Sequence, residues 1–196
     1  MIKTLLAISM GFMSVQEPAE PIKDPGNQEG KKVYLKAQYA GNAGLASIGF
    51  GSFFLNEKLM ADISYGYLPG FANDVRVHTF SFKPAYNISE FTIKHFNISP
   101  YAGIAATWSA GHNIYLLAPD HYPRDYYYGN AFHFNPFVGL RSGIDLESRR
   151  LSRLSLYAEL GTADYELLYA FRNREIKFRE ILNLCFGVMF HLNGDR

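Results

Sequence analysis

Positions 178–192 alternate between two kinds of side chain. The even positions carry Phe178, Glu180, Leu182, Leu184, Phe186, Val188, Phe190 and Leu192. The odd positions carry Arg179, Ile181, Asn183, Cys185, Gly187, Met189 and His191. Successive side chains of a strand point to opposite faces, so a period of two predicts a strand with one greasy face and one mixed face.

The same period recurs upstream and divides the chain into eight strands, at 32–40, 44–55, 58–68, 76–87, 98–110, 131–145, 153–171 and 177–192. The sixth sets Phe132, Phe134, Pro136, Val138, Leu140 and Ile144 against His133, Asn135, Phe137, Gly139, Arg141, Gly143 and Asp145. The seventh sets Leu154, Leu156, Ala158 and Leu160 against Ser155, Tyr157, Glu159 and Gly161. No segment offers a sustained helical period with caps. Eight antiparallel strands with one apolar face each predict an all-β, up-and-down transmembrane barrel with the apolar face outward, in lipid. A soluble lipocalin-like barrel is the rival, and it predicts the reverse facing.

Connection lengths fit a barrel of the bacterial outer membrane, which has short periplasmic turns and longer external loops. With the first strand running outward, the turns are 56–57, 88–97 and 146–152, and the external loops are 41–43, 69–75, 111–130 and 173–176. The longest is external. Asp164, Glu166 and Glu180 fall on the apolar face of the last two strands and would be costly in lipid, so the wall is expected to project beyond the hydrocarbon.

Composition narrows the class. Hydrophobic residues make up 48% of the 196-residue chain, yet no run approaches the roughly twenty of a spanning helix. Net charge is +1, which gives no electrostatic case for nucleic acid. Lys3 followed by an apolar stretch from Leu5 to Met13 predicts a signal peptide over 1–16. Residues 17–31, with Pro18, Pro21 and Pro25 among charges, predict a flexible leader; the barrel then covers 32–192 and a polar tail 193–196. The lone cysteine, Cys185, allows no intrachain disulfide and reads as a small interior residue.

The candidate residues form three groups. Lys36, Asp62, Lys83, Arg141, Asp145 and Glu159 fall on the inward face. An eight-stranded barrel is just wide enough for side chains to fill it, so these charges are expected to pair and plug the lumen; the functional alternative is a narrow polar pore or a proton-handling site. Tyr65, Tyr67, Tyr86, Trp108, Tyr169 and Phe171 lie near strand ends and suit the two headgroup levels as anchors. His121, Tyr122, Arg124, Tyr126, Tyr127 and Tyr128 crowd the long external loop, as a lid on the barrel mouth or as a binding surface.

Catalytic patterns are absent. His78 and Ser81 are three apart and face opposite sides of a strand, which is poor geometry for a Ser–His pair. His112 and His121 have no adjacent serine, and His133 lies inward beside Asn135. No spacing resembles a metal site or a phosphate loop, and no cofactor is implied.

Given this pattern, the chain resembles the small eight-stranded outer-membrane proteins of Gram-negative bacteria. Over roughly 78–192 it is loosely similar to the lipid A 3-O-deacylases, through His78-Thr-Phe-Ser-Phe-Lys-Pro, through Ser99-Pro-Tyr-Ala-Gly-Ile-Ala-Ala, and through the order of the last four strands. That family carries a His-x-Ser pair on its penultimate strand, where this chain reads Tyr157-Ala-Glu-Leu-Gly-Thr-Ala-Asp164, so no catalytic residue is carried over. The resulting expectation is a non-enzymatic barrel whose partners are the lipids of the outer membrane, lipopolysaccharide and phospholipid. Its external loops would serve surface binding or envelope integrity. The alternatives are an acyl hydrolase of lipid A or phospholipid, and a narrow channel or carrier of small apolar molecules. No surface ligand and no oligomeric state are indicated.

Overall fold

The computed structural model describes residues 32–70, 76–111, 114, 131–173 and 175–193. The predicted signal peptide, the leader, the end of the tail and the tyrosine-rich loop residues His121, Tyr122, Arg124, Tyr126, Tyr127 and Tyr128 lie outside them.

The strands are β1 (Val33–Tyr39), β2 (Ala46–Phe54), β3 (Leu59–Leu68), β4 (Val77–Asn87), β5 (Phe91–Ile93), β6 (Phe96–Gly111), β7 (Phe132–Asp145), β8 (Leu151–Gly161) and β9 (Asn183–Leu192). A helix, α1 (Asp164–Arg172), and a single 3-10 turn (Phe178–Glu180) separate β8 from β9. Eight strands close a barrel: each pairs antiparallel with its neighbour, β4 pairs β6, and β9 returns to β1 from Val33↔Leu192 to Tyr39↔Phe186. The short β5 lies outside this ring. It extends β6 where β4 has ended, pairing Phe91 with Ile98. Closure leaves no sheet edge around most of the wall.

The facing follows the sequence pattern. Outward positions include Leu35, Ile48, Phe50, Ile63, Phe82, Ile104, Val138, Leu140, Leu156 and Phe186, all exposed. Inward positions on the same strands include Lys36, Asp62, Lys83, Tyr101, Arg141 and Glu159, all buried. This is the reverse of a lipocalin-like barrel. At about 3.3 Å per residue and a tilt of about 40°, the steps from Phe132 to Ile144 along β7 cover roughly 30 Å of height.

The chain departs from the predicted strands after Gly161. The seventh strand was expected to run to 171, and instead β8 stops and α1 begins. Two local causes act together. Pro136, the next residue of β7 beyond Phe137↔Gly161, has no N–H to continue the ladder; its carbonyl accepts the Thr162 N–H at 3.2 Å. Beyond it, apolar spacing changes from two to three and four, in Tyr165, Leu168 and Tyr169. Asp164 and Glu166 fall in the first turn and Arg172 in the last, which suits the helix dipole. Glu166 Oε2 accepts the Ala163 N–H at 3.1 Å, as the glutamate of a capping box does. Asp164 and Glu166 are therefore helix residues and Glu180 belongs to the 3-10 turn, so none of them sits on an outer strand face. Tyr169 and Phe171, expected at a strand end, are exposed positions of α1.

Candidate functional site: the barrel interior and its loop-end rim

The interior is built from the inward positions of all eight wall strands. Its middle holds two ion pairs. The Lys36 ammonium (β1) meets the Asp62 carboxylate (β3), and the Lys83 ammonium (β4) meets Glu159 (β8) across the lumen. Tyrosines complete the carboxylate shells: Tyr34 donates to Asp62 at 3.1 Å, and Tyr101 donates to Glu159 at 3.0 Å. The Cys185 thiol donates to Glu159 at 3.4 Å, which gives this small interior residue a partner. Tyr157 donates to Gln38 at 3.1 Å and ties β8 to β1. Buried charges persist only when paired and hydrogen-bonded, and both carboxylates here meet that condition.

Two of the six inward charges behave differently from the mutual pairing read in the sequence. Arg141 is buried, and among the described residues it makes no ion pair. Its guanidinium lies 5.0 Å from the centre of the Phe53 ring and donates to the Met60 sulfur at 3.5 Å. Asp145 has inward parity but is the last residue of β7, and its side chain is largely exposed at the terminal rim. There Arg153 reaches it at 2.6 Å and Glu90 at 3.1 Å, while Asn97 donates to it at 2.9 Å. Among the described residues the interior therefore holds three cations, Lys36, Lys83 and Arg141, against two anions, Asp62 and Glu159.

Toward the terminal rim the lumen is closed by rings. Phe53 stacks on His191 at 5.5 Å and tilts against Tyr34 at 5.0 Å. His191 Nε2 lies 3.0 Å from Ser155 Oγ. This Ser–His contact joins residues 36 apart on adjacent strands, and no local spacing could reveal it; only the β8–β9 register would. Ser155 and His191 are buried at 1% and 7% exposure, and His191 is itself one ring of this layer.

Toward the loop end lies a cavity of about 40 Å³, lined by Ser81, Lys83, Thr107, Asn135, Glu159 and Cys185 among others. Ser81 Oγ is buried there without a hydrogen-bond partner among the described residues, while Asn135 donates to Thr107 at 2.8 Å. The space suits water and is too small for an acyl chain or a sugar.

The loop-end rim carries α1. Beyond Pro136 the edge of β7 has no strand partner, and Asp164 covers it. Its Oδ2 accepts the Phe134 N–H at 3.2 Å, and its Oδ1 lies 2.9 Å from His133 Nδ1. Thus His133, beside Asn135 in the sequence, is held by the helix. His78 faces outward and Ser81 inward; Tyr65 shares a 2.7 Å hydrogen bond with His78. Tyr65, Tyr67, His78, Phe80 and Trp108 form a run of ring contacts of 5.1–6.0 Å around the loop-end wall. Tyr86 lies toward the opposite end, opposite Leu59. Among the described residues no group of histidine, cysteine and acidic side chains is placed to hold a metal.

No protein-family model matches the chain, and no curated protein sequence matches it. Among solved structures it is similar to Neisserial surface protein A, with 10% identity, a TM-score of 0.37, and coverage of 82% of this chain and 94% of that one.

Proposed function

We propose that the chain is an integral β-barrel of the outer membrane of a Gram-negative bacterium, non-enzymatic, with a lumen filled by its own side chains. The external loops, including the tyrosine-rich one, do its work in surface binding or envelope integrity. One observation carries the reading. The outward positions of the eight wall strands, between the two rims, include no Asp, Glu, Lys or Arg, and most are exposed large apolar side chains. An apolar surface wrapped around the whole molecule is far larger than soluble monomers expose. It matches the lipid-facing band of a membrane barrel in facing and height.

What speaks against a channel or an acyl hydrolase is the density of the interior. Paired charges and rings fill the middle and the terminal end, and the loop-end cavity holds no more than water. The direct test is the state of the purified chain without detergent. A membrane barrel requires detergent or lipid to stay dispersed, and a folded, monomeric chain in plain buffer would sink the proposal. Mass spectrometry of lipid A and phospholipid from cells with and without the gene checks the non-enzymatic part, where an acyl-chain difference decides for the hydrolase.

A further inference from the structure

We propose that α1 is a lipid-interface helix, resting in the phosphate-bearing headgroup layer at the loop end of the barrel. The proposal rests on the membrane reading above. The face of α1 toward the barrel carries Glu166, Leu167 and Ala170, which are half-buried. Tyr165 packs on His133 of β7 with ring centres 5.0 Å apart, and the exposed remainder carries Leu168, Tyr169 and Arg172, with Phe171 beside them. Leu168 and Tyr169 are about half exposed, and Phe171 is 82% exposed. No residue of the helix is buried. A surface helix in water turns its polar face outward, and this one turns its apolar face outward.

Two observations fix lipid as the occupant. First, the face continues the outer wall. Two residues separate β8 from the helix, whose first residue, Asp164, binds the backbone of Phe134; Phe134, Leu160 and Leu184 are exposed apolar positions of that wall. Second, exposed cations flank it: Arg172 at its end, then Lys177 and Arg179 around the exposed Phe178. Glu175 and Glu180 share this stretch, whereas Asp164 and Glu166 are engaged at the helix start. Aromatic and aliphatic side chains bordered by basic ones are the composition of helices that lie in the plane of an anionic interface. Asp164 holds the helix start at the level of the rim.

Tryptophan fluorescence tests this in the full chain. Trp108 is the single native tryptophan and faces outward on β6. The chain is reconstituted in phosphatidylcholine–phosphatidylglycerol vesicles whose acyl chains carry bromine near the glycerol. Quenching of Trp108 reports insertion of the barrel; its absence would defeat the membrane reading itself. The variant Trp108→Phe with Leu168→Trp then reports on α1. Quenching comparable to that of Trp108, and weaker with bromine near the methyl ends, supports the proposal. An inserted barrel whose probe at position 168 is quenched by aqueous acrylamide and not by bromine overturns it. So does a probe shielded from both, which would mean that the 112–130 segment or a second copy covers the face. Adding Arg172→Glu, Lys177→Glu and Arg179→Glu should reduce bromine quenching in the mixed vesicles and leave it unchanged in pure phosphatidylcholine. Equal quenching of both chains in the mixed vesicles would remove the phosphate contact from the proposal.

Discussion

Tyr157 lies across Gly187, its directly opposite residue on the neighbouring strand, so closely that a Cβ on Gly187 would overlap the phenol ring. The missing side chain lets the ring lie flat along the wall and bring its hydroxyl to Gln38. The same relationship recurs between Tyr34 and Gly51 and between Tyr101 and Gly139. Two of these three tyrosines end on the carboxylates of the central ion pairs.

Gly187→Ala should therefore destabilise the barrel by about 1–3 kcal/mol through overpacking. The effect should shrink markedly when combined with Tyr157→Leu, because the clash has gone. Urea unfolding of the reconstituted barrel, followed for both single variants and the double, gives the coupling. Additive effects would show that the ring and the glycine do not meet.

The Lys83–Glu159 pair predicts a second non-additive result. Lys83→Met leaves a buried carboxylate with Tyr101 and Cys185 as its donors among the described residues, and Glu159→Leu leaves a buried ammonium. Breaking a buried pair from either side should cost about 3–5 kcal/mol, while removing both partners restores much of the loss. The double variant should unfold at higher urea than either single variant. If it is the weakest of the three, the pair is contributing net attraction beyond its desolvation.

Most of the wall was legible because the alternation has a physical cause that is local: one face meets the interior and the other does not. Closure was legible from the eight alternating segments, whereas the pairing register was not. The failure at 162–171 also has a local cause. The alternation of Leu154 to Leu160 reaches Thr162 on the same parity, and the change of period to Tyr165, Leu168 and Tyr169 begins only beyond it. The acidic first turn and basic last turn were the available signal. Parity placed Asp145 inward, but parity says nothing of depth, and the last residue of a strand lies at the rim. Which cation meets which anion was beyond the sequence. Lys83 faces Asp62 directly in the β3–β4 register, yet pairs with Glu159 on the far side.

Asp164 hydrogen-bonds α1 to the free edge of β7, beside the ring contact of Tyr165 with His133. Asp164→Ala removes the acceptors of Phe134 N–H and His133, and with them a favourable charge at the helix start. A loss of about 1 kcal/mol in docking, suited to partly exposed hydrogen bonds, raises the locally open population roughly fivefold. Limited trypsin digestion of the detergent-solubilised barrel should then cut after Arg172, Lys177 and Arg179 faster by a similar factor. The barrel strands should keep their unfolding midpoint, because their ladder is untouched.

At the opposite end, Glu57 in the β2–β3 turn reaches Lys32 at 2.5 Å. Partial burial opposes ionisation of Glu57, but the Lys32 ammonium outweighs it and holds the carboxyl below the usual glutamate range. A carboxyl depressed in the folded state binds its proton more readily in the unfolded state. Its contribution is thus complete above the unfolded value and is lost as pH falls through the folded one. Stability of the wild-type barrel should decline across this acid window, and Glu57→Gln should be less stable above it while losing less within it. The difference is small, because Lys32 is half exposed to water. The two urea-midpoint curves against pH should converge below the folded value, and curves that stay parallel to the lowest pH would show that the Lys32–Glu57 contact does not stabilise the fold.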